Sequence, residues 1–87
     1  MRLDKFLKVA RVIKRRTVAS EACQGERVTV NGKQAKPSKE VKEGDVVGVR
    51  FGDKTVVFEV LRVPTGNVGK QDADSLYRIL EGDRYEV

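Results

Sequence analysis

Apolar side chains near the start of the chain fall at Leu3, Phe6, Leu7, Ala10 and Ile13, while Arg2, Lys5, Lys8 and Arg11 stand off that stripe. Spacings of three and four place the apolar set on one helical face. A first helix is therefore predicted over about residues 3–10. Asp4 lies in its first turn, where it suits the positive end of the helix dipole and can support the helix locally through Lys8, four residues on. The rhythm breaks at "KRRT", residues 14–17, and resumes in "VASEACQG". Thr17 is placed to cap a short second helix over about 18–24, with Val18, Ala22 and Cys23 inward and Gly25 as the left-handed residue that closes it.

From Arg27 the period changes to two. Val28 and Val30 alternate with polar residues, and Asn31-Gly32 follows, the pair best suited to the positive φ angles of a type I′ hairpin turn. Two further strands are predicted at 46–51 and 55–63, punctuated by Gly44-Asp45 and Gly52-Asp53, so the sheet is small and antiparallel. After Pro64 the polar stretch "TGNVGKQDAD" reads as a loop, and "ADSLYRILEG" reads as a C-terminal helix ending near Gly82. The fold class is α+β: two short N-terminal helices packed on a small antiparallel sheet, with a helix at the C-terminus. Residues 1–63 form the domain, and 64–87 are a loop and terminal segment packed on it or trailing from it.

Composition narrows what such a fold does. Eighty-seven residues make one small domain. No apolar run approaches the roughly 18 residues of a membrane span, and the charged start leads into an amphipathic pattern rather than a signal peptide, so a cytoplasmic location is expected. Cys23 stands alone and the chain has no His, which argues against a disulfide framework and against zinc sites built on Cys and His. Cys23 itself reads as a small buried hydrophobe, with no His to activate it and no second Cys to resolve it.

The net charge of +5 conceals an asymmetry. Residues 1–42 carry twelve Lys or Arg against four acids, while residues 43–87 carry six against nine. Seven of the sixteen residues in "RLDKFLKVARVIKRRT" are basic. Such segregation creates a field that attracts and orients a polyanion; a merely solvated basic face is the bland alternative.

The stretch "RLDKFLKVARVIKRRT", then Gly25, "V.VNGK" at 28–33, "KPSKEV" at 36–41 and "GD" at 44–45 resembles the RNA-binding domain of the ribosomal protein S-four family, the αL motif, over residues 1 to about 50. With little sequence around it, the chain is similar to the stand-alone members: RqcP-type factors of ribosome-associated quality control and the related bacterial heat-shock proteins of fifteen kilodaltons. That resemblance implies a non-enzymatic protein without cofactor or metal. Its partners would be the rRNA of the large ribosomal subunit, peptidyl-tRNA held in the P site, and the NFACT-family protein RqcH during C-terminal alanine tailing of stalled chains. It would work as a monomer and have no membrane partner. A more general salvage role on free large subunits carrying nascent chain-tRNA is the alternative. Arg2 and Arg16 match the family's rRNA- and tRNA-facing positions most directly.

The motif is physically coherent. The start of helix one, the turn leading into helix two and the hairpin can converge on a concave rim, with Arg2, Lys5, Lys14, Arg15 and Arg16 at phosphates and Lys33 and Lys36 approaching from the side. Thr17 and the free amides of helix two add neutral donors. A rim of this kind reads the shape of structured RNA through phosphates and 2′-hydroxyls. Phe6, Phe51 and Phe58 fall in core patterns, so no stacking platform for single strands is visible. "VASEACQ" offers few base-reading side chains for a DNA-binding helix-turn-helix. Helix one is too short and poor in aromatics for a lipid-surface helix. The acids Asp4, Glu21, Glu26 and Asp45 are scattered singly, as a catalytic constellation would not be.

Overall fold

The computed structural model describes residues 1–64, 73 and 75–82. Its elements are α1 (Leu3–Val9), α2 (Arg16–Gln24), β1 (Val28–Val30), β2 (Lys33–Gln34), β3 (Val46–Phe51), β4 (Lys54–Val60) and β5 (Tyr77–Glu81). The stripe predicted for the first helix is the buried one: Leu3, Phe6, Leu7, Ala10 and Ile13 are all fully buried. Helix α1 ends in a Schellman turn. Arg11 takes a left-handed φ of 60°, its N–H donates to the carbonyl of Lys8, and that of Val12 reaches the carbonyl of Leu7 at 3.0 Å. This reversal drops Val12 and Ile13 back into the core.

Two expectations about α2 are corrected. Arg15, extended at φ −114°, occupies the N-cap position without a side-chain bond, so Thr17 lies inside the first turn and caps nothing. Buried Ile13, tied to the Leu7 carbonyl, leaves only Lys14 and Arg15 to cross between the helices. Gly25, with φ −81°, is not the left-handed residue; Glu26 is, at φ 61°. The Arg27 N–H donates to the Ala22 carbonyl at 3.0 Å, the same Schellman closure that ends α1.

The five strands form one antiparallel sheet in the order β2-β1-β3-β4-β5. Asn31 and Gly32 have φ of 53° and 83° and link Val30 to Lys33, the two-residue turn expected from the sequence. Asn31 also stitches that turn to the start of β3: its side-chain N–H donates to Asp45 and its side-chain oxygen accepts from the Val46 N–H. Strand β3 matches its predicted span, whereas β4 covers Lys54–Val60 and stops short of residue 63.

The C-terminal helix is overturned. Tyr77–Glu81 is the edge strand β5, paired with β4 through Val60↔Tyr77, Glu59↔Arg78 and Phe58↔Ile79, with a bulge between Val57 and Phe58. An apolar run this short fits either period. What decides is β4, which gains a hydrogen-bonded partner along with the Arg78–Glu59 ion pair at 2.7 Å and the edge contact of Phe58 with Tyr77, ring centroids 5.2 Å apart. Residues 65–72 and 74, read as most of a polar loop, lie outside the described residues.

The core lies between the two helices and one face of the sheet. Phe6 of α1 stacks on Phe58 of β4, centroids 6.3 Å apart. Val28, Val47, Val49 and Val60 close around them. Phe51, also read as core, is half-buried against its edge.

Candidate nucleic-acid interface

The first turn of α1 is held against the loop that follows β2. The Leu3 N–H donates to the Lys39 carbonyl (2.8 Å), the Asp4 N–H to the Pro37 carbonyl (3.2 Å), and Arg2 bridges Glu40. These bonds set Arg2 and Lys36 along one groove of about 670 Å³, lined also by Ser20 and Gln24 of α2 and by Gln34.

At the end of that groove, Asp4 organises two arginines. Its carboxylate is nearly fully buried, at 3% exposure. Oδ1 accepts from Arg2 Nε at 3.2 Å and Oδ2 from Arg2 Nη2 at 3.3 Å, a forked pair, while Arg16 Nε approaches Oδ2 at 3.6 Å. The Lys5 backbone N–H donates to Oδ1 at 2.8 Å. Both guanidinium groups remain about half exposed. Asp4 thus takes one edge of Arg2 by a forked hydrogen bond and draws Arg16 to ion-pair distance, leaving a net positive charge across the three side chains. Asp4 does stand in the first turn of α1, as expected of a helix-dipole acid, but its ion-pair partners are Arg2 and Arg16 rather than Lys8. No pattern in the sequence announced that role, because the pairing is made by the approach of the α1 and α2 starts.

Of the remaining predicted residues, Lys5, Lys14, Arg15, Thr17, Lys33 and Lys36 are all exposed. Lys14 and Arg15 form the inter-helix turn, Thr17 follows Arg16 in the first turn of α2, and Lys33 opens β2 beside the hairpin turn. Among the described residues, none of these side chains is ion-paired to a carboxylate. The structure therefore joins Arg2 to Arg16 through Asp4 and to Lys36 through the groove, and displays Lys5, Lys14, Arg15 and Lys33 as separate cations, with the Thr17 hydroxyl, on the same N-terminal half. Ser20, Gln24 and Gln34 are groove residues that sequence reading missed.

Cys23 lies beneath the groove. Burial pushes its thiol up to about 11, and the Asp4 carboxylate adds to the shift by disfavouring a second negative charge. Such a thiol is inert at neutral pH. Among the described residues no group of three or more His, Cys, Asp or Glu side chains could hold a metal ion, and no helix is long and apolar enough to cross a membrane.

The S4 domain family model matches residues 1–47. A protein of Halalkalibacterium halodurans named RQC P-site tRNA stabilizing factor is 53% identical over 79 residues, covering 91% of this chain and 89% of that one. Its namesake in Listeria innocua is 49% identical over 84 residues, covering 97% and 90%. Among solved structures, the trimeric Heat Shock Protein 15 of Vibrio cholerae superposes with a TM-score of 0.82 at 35% identity, covering 91% of this chain and 80% of that one.

Proposed function

The chain belongs to the S4 domain family, in the group of the RQC P-site tRNA stabilizing factors, and from that membership we infer an RNA-holding role in ribosome-associated quality control. The protein binds the large ribosomal subunit after a stalled ribosome has split, and steadies peptidyl-tRNA in the P site. An NFACT-family partner, RqcH, meanwhile drives C-terminal alanine tailing. The site of action is the cytoplasm, and the contribution is binding rather than chemistry.

The observation that carries this reading is the Arg2–Asp4–Arg16 cluster. A buried carboxylate that holds half-exposed Arg2 by a fork and draws half-exposed Arg16 beside it presents partly pre-ordered donors to phosphates, so less side-chain entropy is lost on binding than with free lysines. Lys36 and the groove beside Arg2 extend the same surface, and the exposed Lys5, Lys14, Arg15, Thr17 and Lys33 supply further phosphate contacts from the same N-terminal half. One copy per subunit suffices for this role; the trimer is a property of the Vibrio cholerae protein.

Reconstituted tailing on isolated large subunits, with alanyl-tRNA and the NFACT partner and with this protein added or omitted, is the direct test. Tailing should become processive only when it is present, and Arg16→Ala should behave as omission. Processive tailing without it would discard the quality-control role and leave RNA binding to be judged separately.

A further inference from the structure

The sheet face turned away from the helices carries charge that the surface above does not use. Val28 pairs with Val49 across β1 and β3, and both side chains are buried. One step along, the Arg50 N–H donates to the Arg27 carbonyl at 2.9 Å, so Arg27 and Arg50 stand opposite each other, and strand alternation turns both outward. Both are exposed. Like charges facing each other across a sheet are destabilising. Among the described residues, no carboxylate lies within ion-pair distance of either guanidinium, Glu26 at the edge of the same depression included. Arg27 leans over Gly25 at the end of α2, its Nε 3.3 Å from where a Cβ would stand, and the helix dipole there offsets part of its charge. Arg50 has no such neighbour.

Beside the two arginines lies a depression of about 310 Å³ lined by Thr29, Gln34, Gly48 and Thr55. Gly48 is needed to keep it open: a Cβ there would stand 2.8 Å from Thr29 Oγ1. Two guanidinium forks flanked by two hydroxyls and an amide form a donor set suited to phosphodiester oxygens and ribose hydroxyls, with the half-buried Val57 as the one apolar side chain of the lining and no aromatic anchor such as a protein partner would use. Gln34 and Glu26 also line the groove on the helix side. The β1–β2 hairpin is therefore a ridge between two cationic surfaces.

We propose that Arg27 and Arg50 form a second RNA site, which takes the phosphate backbone of an RNA segment other than the one held at Arg2 and Arg16. The site deepens the RNA-binding reading and rests on it: holding one RNA against another requires two separate anion-binding surfaces, and the hairpin ridge divides them.

The test titrates a short RNA hairpin of about ten base pairs, enough to present an A-form backbone, and reads stoichiometry by sedimentation. The wild-type protein should bind two hairpins, and both Arg27→Gln/Arg50→Gln and Arg2→Ala/Arg16→Ala should bind one. Arg50→Gln alone should keep or raise the melting temperature at low salt, because it removes a repulsion and no structural contact. One hairpin per wild-type protein, lost in Arg2→Ala/Arg16→Ala and untouched in Arg27→Gln/Arg50→Gln, would overturn the second site and leave the function above intact. Conversely, lost stoichiometry in the outer-face variant with none in Arg2→Ala/Arg16→Ala would support the second site and overturn the helix-side assignment. A lowered melting temperature in Arg50→Gln would make the pair structural and overturn the proposal. So would unchanged hairpin binding in Arg27→Gln/Arg50→Gln accompanied by lost affinity for polyglutamate, which would assign the pair to an acidic protein.

Discussion

Arg2 and Arg16, which begin different helices, share one buried carboxylate: their Nε atoms lie 3.2 Å and 3.6 Å from the two oxygens of Asp4. The shared acid makes orientation separable from charge. Asp4→Asn raises the net charge by one, so a surface that works only by attraction should bind RNA more tightly. A surface that works by holding two forks in place should bind more weakly, and that is the expected outcome, by about tenfold in Kd as for one lost charge-assisted hydrogen bond. A filter-binding titration decides between the signs, and tighter binding would remove Asp4 from the interface.

Salt reports the contacts themselves. Affinity for large subunits should fall steeply with salt, and Arg16→Ala should flatten the log–log slope by about 0.7 to 0.9, the equivalent of one phosphate contact. A slope unchanged in Arg16→Ala, measured from 50 to about 300 mM salt, would place Arg16 outside the RNA.

Core and surface substitutions should dissociate. Leu7 and Val30 are buried, so Leu7→Ala and Val30→Ala should each cost about 1 to 4 kcal/mol through lost burial and the cavity left behind. Arg16→Ala leaves Asp4 with the Arg2 fork and the Lys5 amide, so its melting temperature should stay close to wild type while binding falls. Equal thermal losses in both groups would make the basic turn structural.

Cys23 predicts a pH dependence whose sign follows from its environment. Its thiol ionises near 9.0 when unperturbed and about 11 when folded, so between those values the folded chain holds a proton that the unfolded chain has released. The contribution is constant below about pH 9 and becomes destabilising as pH rises from 9 towards 11, reaching about 2 to 3 kcal/mol. Urea midpoints of wild type and Cys23→Ala, compared from pH 7 to about 10.5, should diverge only on the alkaline side, the wild type losing more. Parallel curves would show that the thiol is not held in its neutral form.

The sequence by itself determined the elements that local chemistry dictates. The stripe from Leu3 to Ile13 has one period and one buried face, and Asn31-Gly32 supplies the two positive φ angles of a two-residue hairpin at little cost. The alternation around Val47 and Val49 needs no partner to be recognised as a strand. The cations of the candidate surface were legible for the same reason, since charge density is a property of the chain. Tertiary structure decided what depends on a neighbour. "SLYRIL" satisfies either period until β4 offers Phe58 and Glu59 to Tyr77 and Arg78. Left-handed closures fell to Arg11 and Glu26 rather than to a glycine, because the chain had to return Val12 to the core and aim Val28 into the sheet. Asp4 looked like a helix-end acid and became the centre of the candidate surface only when the start of α2 brought Arg16 to it, an electrostatic contact that no sequence spacing encodes.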